Sequence, residues 1–114
     1  MTLGTDRTTV PGYLDFAVSV STADDVTVVA VSGDLDCYTA PKLRAVLLDL
    51  ADGPRKVILD VASSDFIDST GLGVVVGGLK RFRQQGGDMV VRSPSMMTSR
   101  LFEVTGVIKL FEVA

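Results

Sequence analysis

Two kinds of hydrophobic pattern alternate along this chain. Short runs that alternate apolar and polar residues, or that are mostly apolar, are typical of strands, and they occur at 16–21, 26–31, 57–61 and 89–91. Longer segments with apolar residues at i, i+3 and i+4 are typical of amphipathic helices, and one follows each of the last three runs. The pattern therefore predicts the element order β-β-α-β-α-β-α-β, with residues 107–111 as a final strand or extended tail.

Three helices follow from the longer segments. The first is predicted to begin at Thr39 or Ala40, the second near Thr70, and the third after Ser93-Pro94-Ser95. Glycine and proline mark the points where these segments end. The predicted inward faces are Leu43, Val46, Leu47 and Leu50 in the first helix, Leu72, Val75, Val76 and Leu79 in the second, and Met97, Leu101 and Val104 in the third.

The alternation of strands and helices predicts the fold class. Strands joined through helices form parallel pairs with right-handed crossovers, whereas the opening hairpin adds an antiparallel pair. The sequence therefore predicts an α/β fold with a mixed β-sheet. Its 114 residues suggest one domain, at 13–114, preceded by a polar flexible leader at 1–12.

Several residues are unusual for their positions in the predicted fold and need an explanation. Gly73, Gly77 and Gly78 are poor helix formers, and close approach of their backbone to the sheet is the simplest explanation. Cys37 has no partner thiol and is interpreted as a small apolar filler. The Met96-Met97 pair is interpreted as helix packing, with an exposed, adaptable binding surface as the alternative.

Composition narrows the classes of function. Apolar residues make up 46% of the chain, which favours a folded domain, and the net charge of −3 argues against nucleic acid as the main partner. The single cysteine cannot form an internal disulfide. No segment reaches the roughly 18 apolar residues of a membrane span, and the first 15 residues lack the apolar core of a signal peptide. We therefore expect a soluble, cytoplasmic protein with no membrane partner.

The most informative stretch is Asp65 to Gly73, which joins the strand at 57–61 to the second helix. A hydroxyl at such a junction is exposed near the positive end of a helix, where free backbone N–H groups favour phosphate. The hypothesis is that Ser69 is a switch residue, phosphorylated and dephosphorylated by other proteins. The alternative is that Asp68, Ser69 and Thr70 are ordinary N-cap residues.

Catalysis, nucleotide binding and metal binding receive little support. The stretch lacks the G-x-S-x-G elbow, and a chain without histidine cannot form a Ser-His-Asp triad, so no enzyme activity is predicted. Gly71-Leu72-Gly73 matches neither the Walker A nor the Rossmann spacing. Several aspartates could ligate Mg²⁺ or Ca²⁺ but are interpreted as solvated loop carboxylates, so no metal or cofactor is predicted. These aspartates are Asp34, Asp36, Asp60, Asp65 and Asp68.

Three blocks of sequence resemble the STAS domain, specifically the bacterial anti-sigma factor antagonists. The first is Ser32–Asp36 leading into Thr39-Ala40, and the second is Asp65–Val74. The third is Gly86–Val91, followed by Arg100-Leu101-Phe102 and Gly106. The blocks occur in the order found in that family.

The resemblance implies a mixed sheet with its helices mainly on one side and a function without catalysis by this chain. It implies that an anti-sigma factor, itself a serine kinase, phosphorylates Ser69. The unphosphorylated chain would bind this kinase and free the sigma factor, and a PP2C-type phosphatase would reset the cycle. ATP and Mg²⁺ would belong to the kinase, and the chain would be a monomer or weak dimer. The residues implied in partner binding are Asp34, Asp36, Thr39, Asp68, Ser69, Thr70, Gly71, Leu72 and Gly73.

Three alternatives remain open at this point. Asp36 could be a turn residue at the end of a strand, and Thr70 could be the phosphoacceptor in place of Ser69. The whole domain could also be a STAS scaffold, or a small-ligand (nucleotide) binding module, that acts in a signalling assembly without a phosphorylation cycle.

Overall fold

The computed structural model describes residues 4–10, 13–53 and 56–113. Across these ranges no helix has both the length and the apolar character that crossing a membrane requires. The strands are β1 (Gly4–Val10), β2 (Tyr13–Ala23), β3 (Val26–Ser32), β4 (Lys56–Ser63), β5 (Asp88–Arg92) and β6 (Glu112–Val113). The helices are α1 (Ala40–Leu50), α2 (Ser69–Gln84) and α3 (Met96–Thr105), and a short 3-10 helix spans Val107–Lys109.

The six strands form one mixed sheet in which spatial order follows chain order. β2 pairs antiparallel with β1 and β3, whereas β3, β4, β5 and β6 are parallel neighbours. Right-handed crossovers between strands that advance in one direction place all connecting helices on the same face of a sheet. The prediction of an α/β fold with helices mainly on one side is confirmed, as is the predicted order of elements from β2 onward.

The core lies between that face of the sheet and the helices. Alternate residues of the central strands point into it, and Val29, Leu59 and Val91 are neighbours across β3, β4 and β5. The predicted inward faces of α1 and α2 are confirmed at their most buried positions. These are Leu43 and Leu47 in α1, and Leu72, Val75 and Leu79 in α2.

Both ends of the chain differ from the prediction. Residues 4–10, assigned to a flexible leader, form strand β1 and pair with β2. The composition of β1 is mainly polar, so no apolar alternation marks it, as is common for edge strands. At the other end, Val107–Lys109 is a 3-10 helix and the last strand begins only at Glu112. Gly106, in the left-handed conformation with φ of 78°, ends α3 just before this turn.

The predicted inward face of α3 is wrong at two of its three positions. Met97 and Val104 are 62% and 76% exposed, whereas Thr98 and Phe102 are fully buried. The ring of Phe102 stacks on that of Phe111 with centroids 5.6 Å apart. Burying this ring removes more apolar surface from water than burying Met97 or Val104 would, so it determines how α3 is rotated.

The glycines of α2 do not approach the sheet as predicted. A Cβ atom on Gly78 would lie 2.7 Å from Leu47 Cδ1, so this glycine lets α2 pack closely against α1. A Cβ atom on Gly73 or Gly77 would meet nothing within 4 Å. The proposed explanation is therefore wrong at all three positions, and packing within the described residues does not account for Gly73 or Gly77.

Candidate functional site

Two loops meet where the parallel strands β3 and β4 end. We call residues 33–39 and 64–68, which follow these strands, the loop cluster. Leu35 is fully buried between the loops: its N–H donates to the carbonyl of Phe66 at 2.9 Å, and its carbonyl accepts from the N–H of Asp68 at 3.1 Å. Because these bonds tie the two loops together backbone to backbone, they form one continuous surface at the start of α2.

Asp68 is the N-cap of α2. Its backbone is extended, and its Oδ1 accepts a hydrogen bond of 2.8 Å from the backbone N–H of Gly71. Ser69 is therefore the first helical residue, and its hydroxyl is not needed for capping. The Ser69 side chain is exposed, and no hydrogen-bond partner for its hydroxyl occurs in the described part of the chain. Of the three residues that the sequence left open as caps, Asp68, Ser69 and Thr70, the structure thus gives the cap to Asp68.

Gly71 allows the first turn of α2 to lie directly on the loop cluster. A Cβ atom at this position would lie 2.6 Å from the carbonyl oxygen of Leu35 and 2.8 Å from its Cγ. Both distances are shorter than any non-bonded carbon contact that a real side chain makes. Gly71 and the next residue, Leu72, are buried, whereas Ser69 and Thr70 are exposed. Gly71 therefore determines how closely Ser69 sits to the β3–α1 loop.

Asp36 and Thr39 build the β3–α1 loop from within. Asp36 Oδ1 accepts hydrogen bonds from the backbone N–H groups of Tyr38 and Thr39, at 2.9 and 3.0 Å. The Thr39 hydroxyl donates to the carbonyl of Asp34 at 2.8 Å, and Thr39 is only 1% exposed. Asp36 therefore has the turn-forming role that the sequence left open, whereas Asp34 is exposed on the same loop.

An apolar patch, not expected from the sequence to belong to the site, joins Phe66 of the loop cluster to the start of α3. Phe66 is 39% exposed, and Met96 and Met97, at the start of α3, are 91% and 62% exposed. The hydroxyl of Ser95 donates to the carbonyl of Asp65 at 3.1 Å, which holds the start of α3 against the β4–α2 loop. The prediction that the two methionines are helix packing is therefore wrong, and their exposure is what the alternative of an adaptable binding surface requires.

Cys37 lies on the β3–α1 loop and is exposed. The interpretation of this residue as an apolar filler is therefore wrong. Its backbone belongs to the turn between Asp36 and Thr39, so its side chain is directed by that turn rather than by the core. Tyr38, 69% exposed, follows it on the same loop.

The aspartates considered as metal ligands do not act together. Among the residues described, no three Asp, Glu, Cys or His side chains form a group able to hold a metal ion. Asp60 instead pairs with Arg92 of β5, with 2.7 Å between Oδ2 and Nη2. Partial burial raises the pKa of the Asp60 carboxyl, but hydrogen bonds from Arg92 and the Ala62 N–H, together with the Arg92 charge, outweigh it and hold that pKa below its ordinary value.

Comparisons with known proteins identify a family for this chain. The model of the STAS domain family matches residues 17–114. The anti-sigma-B factor antagonist of Staphylococcus aureus (strain NCTC 8325 / PS 47) is 36% identical over 101 residues, which are 88% of this chain and 94% of that protein. The crystal structure of an anti-sigma factor antagonist from Mycobacterium paratuberculosis has a TM-score of 0.77 at 29% identity, over 86% of this chain and 84% of that one.

A more distant structure shares the fold. SpoIIAA of Bacillus has been solved in an unphosphorylated form, with a TM-score of 0.73, and in a phosphorylated form, with a TM-score of 0.69. Both are 20% identical to this chain and cover 85% of it, and the alignments span 87% and 90% of the two SpoIIAA chains. The described fold is therefore one that SpoIIAA has in both its unphosphorylated and its phosphorylated form.

Proposed function

The chain belongs to the STAS domain family, as its three sequence blocks predicted, and we propose that it acts as an anti-sigma factor antagonist switched at Ser69. In its unmodified form the chain binds an anti-sigma factor that is also a serine kinase, and this frees the sigma factor. Phosphorylation of Ser69 by that kinase ends the interaction, and a PP2C-type phosphatase restores it. This chain supplies a phosphoacceptor and a binding surface, whereas ATP and Mg²⁺ belong to the kinase.

The observation that carries this proposal is the separation of Asp68 from Ser69. Because Asp68 caps α2, the Ser69 hydroxyl stays exposed at the first helical position and is available to an incoming kinase. A phosphate there would sit at the positive end of a helix of 16 residues. The domain can thus accept the modification without rearranging its core.

The switch would then act at the interface rather than on the fold. Phosphate adds a charge of about −1.5 to −2 at neutral pH. It would join Asp68, next to it in sequence, and the exposed carboxylates of Asp34 and Asp65 on the loop cluster. A partner surface that fits the unmodified loops would have to desolvate this additional charge. A loss of about 3 kcal/mol in binding free energy would weaken the complex by a factor of hundreds.

The residues implied in partner binding fall into two groups by burial. Exposed residues would touch the partner directly, and buried or half-buried ones would shape the surface that it touches. We assign the first role to Asp34, Ser69, Thr70 and Gly73, and the second to Asp36, Thr39, Asp68, Gly71 and Leu72. We add the apolar patch of Phe66, Met96 and Met97 to the contact surface, because flexible methionine side chains adapt well to a partner.

The first test is intact-mass analysis and peptide mapping of the chain isolated from its own cells with phosphatases blocked. We expect one phosphate on Ser69. If several growth conditions give no phosphate, the STAS scaffold becomes the better interpretation. A phosphate on Thr70 would keep the switch but move the acceptor by one residue.

The second test is a binding titration against the anti-sigma kinase of the same organism. We expect Ser69→Ala to bind as tightly as the unmodified protein and Ser69→Asp to bind about a hundredfold more weakly. Ser69→Asn is the matched control, because it has the size and shape of aspartate without the charge and should bind nearly as tightly as Ser69→Ala. Equal affinities for Ser69→Ala and Ser69→Asp would refute the mechanism.

A further inference from the structure

A groove of about 470 Å³ lies between α1 and α2 and is lined by residues of both helices. Its floor is apolar and includes the backbone of the α2 glycines, whereas its rim carries basic side chains. The floor is formed by Leu47, Leu48, Val74, Gly73, Gly77 and Gly78. The rim is formed by Arg44, Lys80, Arg81 and Gln84.

The floor of this groove contains two glycines that packing among the described residues does not explain. Gly73 and Gly77 are one helical turn apart on the same side of α2, and both are exposed. An alanine at either position would meet no atom within 4 Å. Each glycine nevertheless costs about 0.5–1 kcal/mol of helix stability relative to alanine. The pair leaves part of the floor of the groove without side chains, so another helix could approach the α2 backbone closely, as small residues four positions apart allow.

The rim indicates the charge of that occupant. Arg44, Lys80 and Arg81 are all exposed, and none of them forms an ion pair with another described residue. Three cations around one groove are notable in a chain whose net charge is −3. A second copy of the chain, docked groove to groove about a two-fold axis, would bring these cations against each other. The charge therefore favours a different protein that presents carboxylates.

We propose that this groove docks an acidic amphipathic helix of a protein partner. Small side chains of that helix would lie on Gly73 and Gly77, and its flanking carboxylates would reach Arg44, Lys80 and Arg81. The groove shares only Gly73 with the residues assigned above to the Ser69 surface. The inference goes beyond the proposed switch and does not depend on phosphorylation of Ser69.

The test uses a panel of stapled helical peptides of about 14 residues, which span about 21 Å. Each has alanine or serine at i and i+4 flanked by glutamates, and a matched control peptide replaces every glutamate with glutamine. Binding to the ¹⁵N-labelled full chain is followed by NMR. We expect saturable shifts at the amides of Gly73 and Gly77, and binding about tenfold weaker for the glutamine peptide.

Two variants test whether the acidic peptide binds in this groove. Gly77→Leu fills open space on the floor of the groove, and Arg81→Glu reverses one charge on its rim. Both variants should fold, and both should weaken binding of the peptide by about tenfold or more. Arg100→Glu makes the same charge change at an exposed position of α3 and should leave binding unchanged. Circular dichroism and thermal unfolding verify that each variant is folded.

Three results would overturn the proposal. One is that no acidic peptide of the panel binds, or that Gly77→Leu binds them as well as the unaltered chain does. Another is that the glutamine peptide binds equally tightly, since the rim charges would then have no role. The third is that sedimentation shows a dimer of this chain which Gly77→Leu dissociates, because the occupant would then be a second copy.

Discussion

The contact between Gly71 and Leu35 makes the substitution Gly71→Ala the sharpest test of the site geometry. The new methyl group would lie 2.6 Å from the Leu35 carbonyl oxygen and 3.2 Å from Ile67 Cγ2. These neighbours have little room to move, because Leu35 is fully buried and its carbonyl already accepts a hydrogen bond from the Asp68 N–H. Either α2 or the β3–α1 loop must shift, and in both cases the position of Ser69 relative to that loop changes.

The expected magnitude follows from three effects. Forcing an additional methyl group into a packed site costs about 1–3 kcal/mol. Weakening the hydrogen bond between Asp68 and Leu35 costs about 1 kcal/mol more. The better helix propensity of alanine returns up to about 1 kcal/mol. We therefore expect Gly71→Ala to lower the free energy of unfolding by about 1–3 kcal/mol, which for a chain of this length lowers Tm by about 4 °C per kcal/mol.

Gly77→Ala is the matched control, because it is the same substitution in the same helix with open space at the Cβ. It should raise the free energy of unfolding by about 0.5–1 kcal/mol. Urea unfolding of both variants, followed by circular dichroism, gives the two values side by side. If Gly71→Ala were neutral or stabilising, or if Gly77→Ala were equally destabilising, the argument from close approach at Gly71 would be refuted.

Three further predictions concern the cap, the sheet and the core. Asp68→Ala should destabilise the domain by about 1 kcal/mol in urea unfolding, whereas Asp68→Asn, which keeps the cap oxygen, should cost clearly less; equal losses would argue against capping. Arg92→Met should lower stability at neutral pH by up to about 1 kcal/mol and flatten its acid dependence, since the lowered pKa of Asp60 adds stability that is lost as the pH falls through that pKa; unchanged acid unfolding curves would contradict this. Phe102→Ala should cost about 3–5 kcal/mol through loss of the stack on Phe111, and a loss below about 1 kcal/mol would show that this ring does not orient α3.

The sequence determined the order of elements from β2 onward and the location of the candidate site. Alternation of period two and apolar spacing of three to four residues are local properties, so they can be read without knowing what packs against what. The strand-to-helix junction around Ser69 was found in the same way, from an apolar run followed by aspartate, serine, threonine and glycine. Strand β1 was not predicted, because a polar edge strand is defined by its pairing with its neighbour β2 and not by its own sequence pattern.

Only the tertiary structure decided which of several equivalent residues takes each role. Asp68, Ser69 and Thr70 are all suitable caps by residue type, and the choice of Asp68 depends on the backbone path set by the loop bonds to Leu35. The exposure of Met97 depends in turn on how α3 is rotated by the burial of Phe102.

The glycines of α2 also take roles that only the tertiary structure decides. Gly71 and Gly77 have identical side chains in one helix, yet a Cβ would collide with the Leu35 carbonyl at the first position and meet open space at the second. Sequence patterns identify residue types and spacings, whereas close approach, burial and exposed patches depend on residues distant in the chain that folding brings together. That is why the junction bearing Ser69 could be found from the sequence, but the choice of Asp68 as the cap and the groove between α1 and α2 could not.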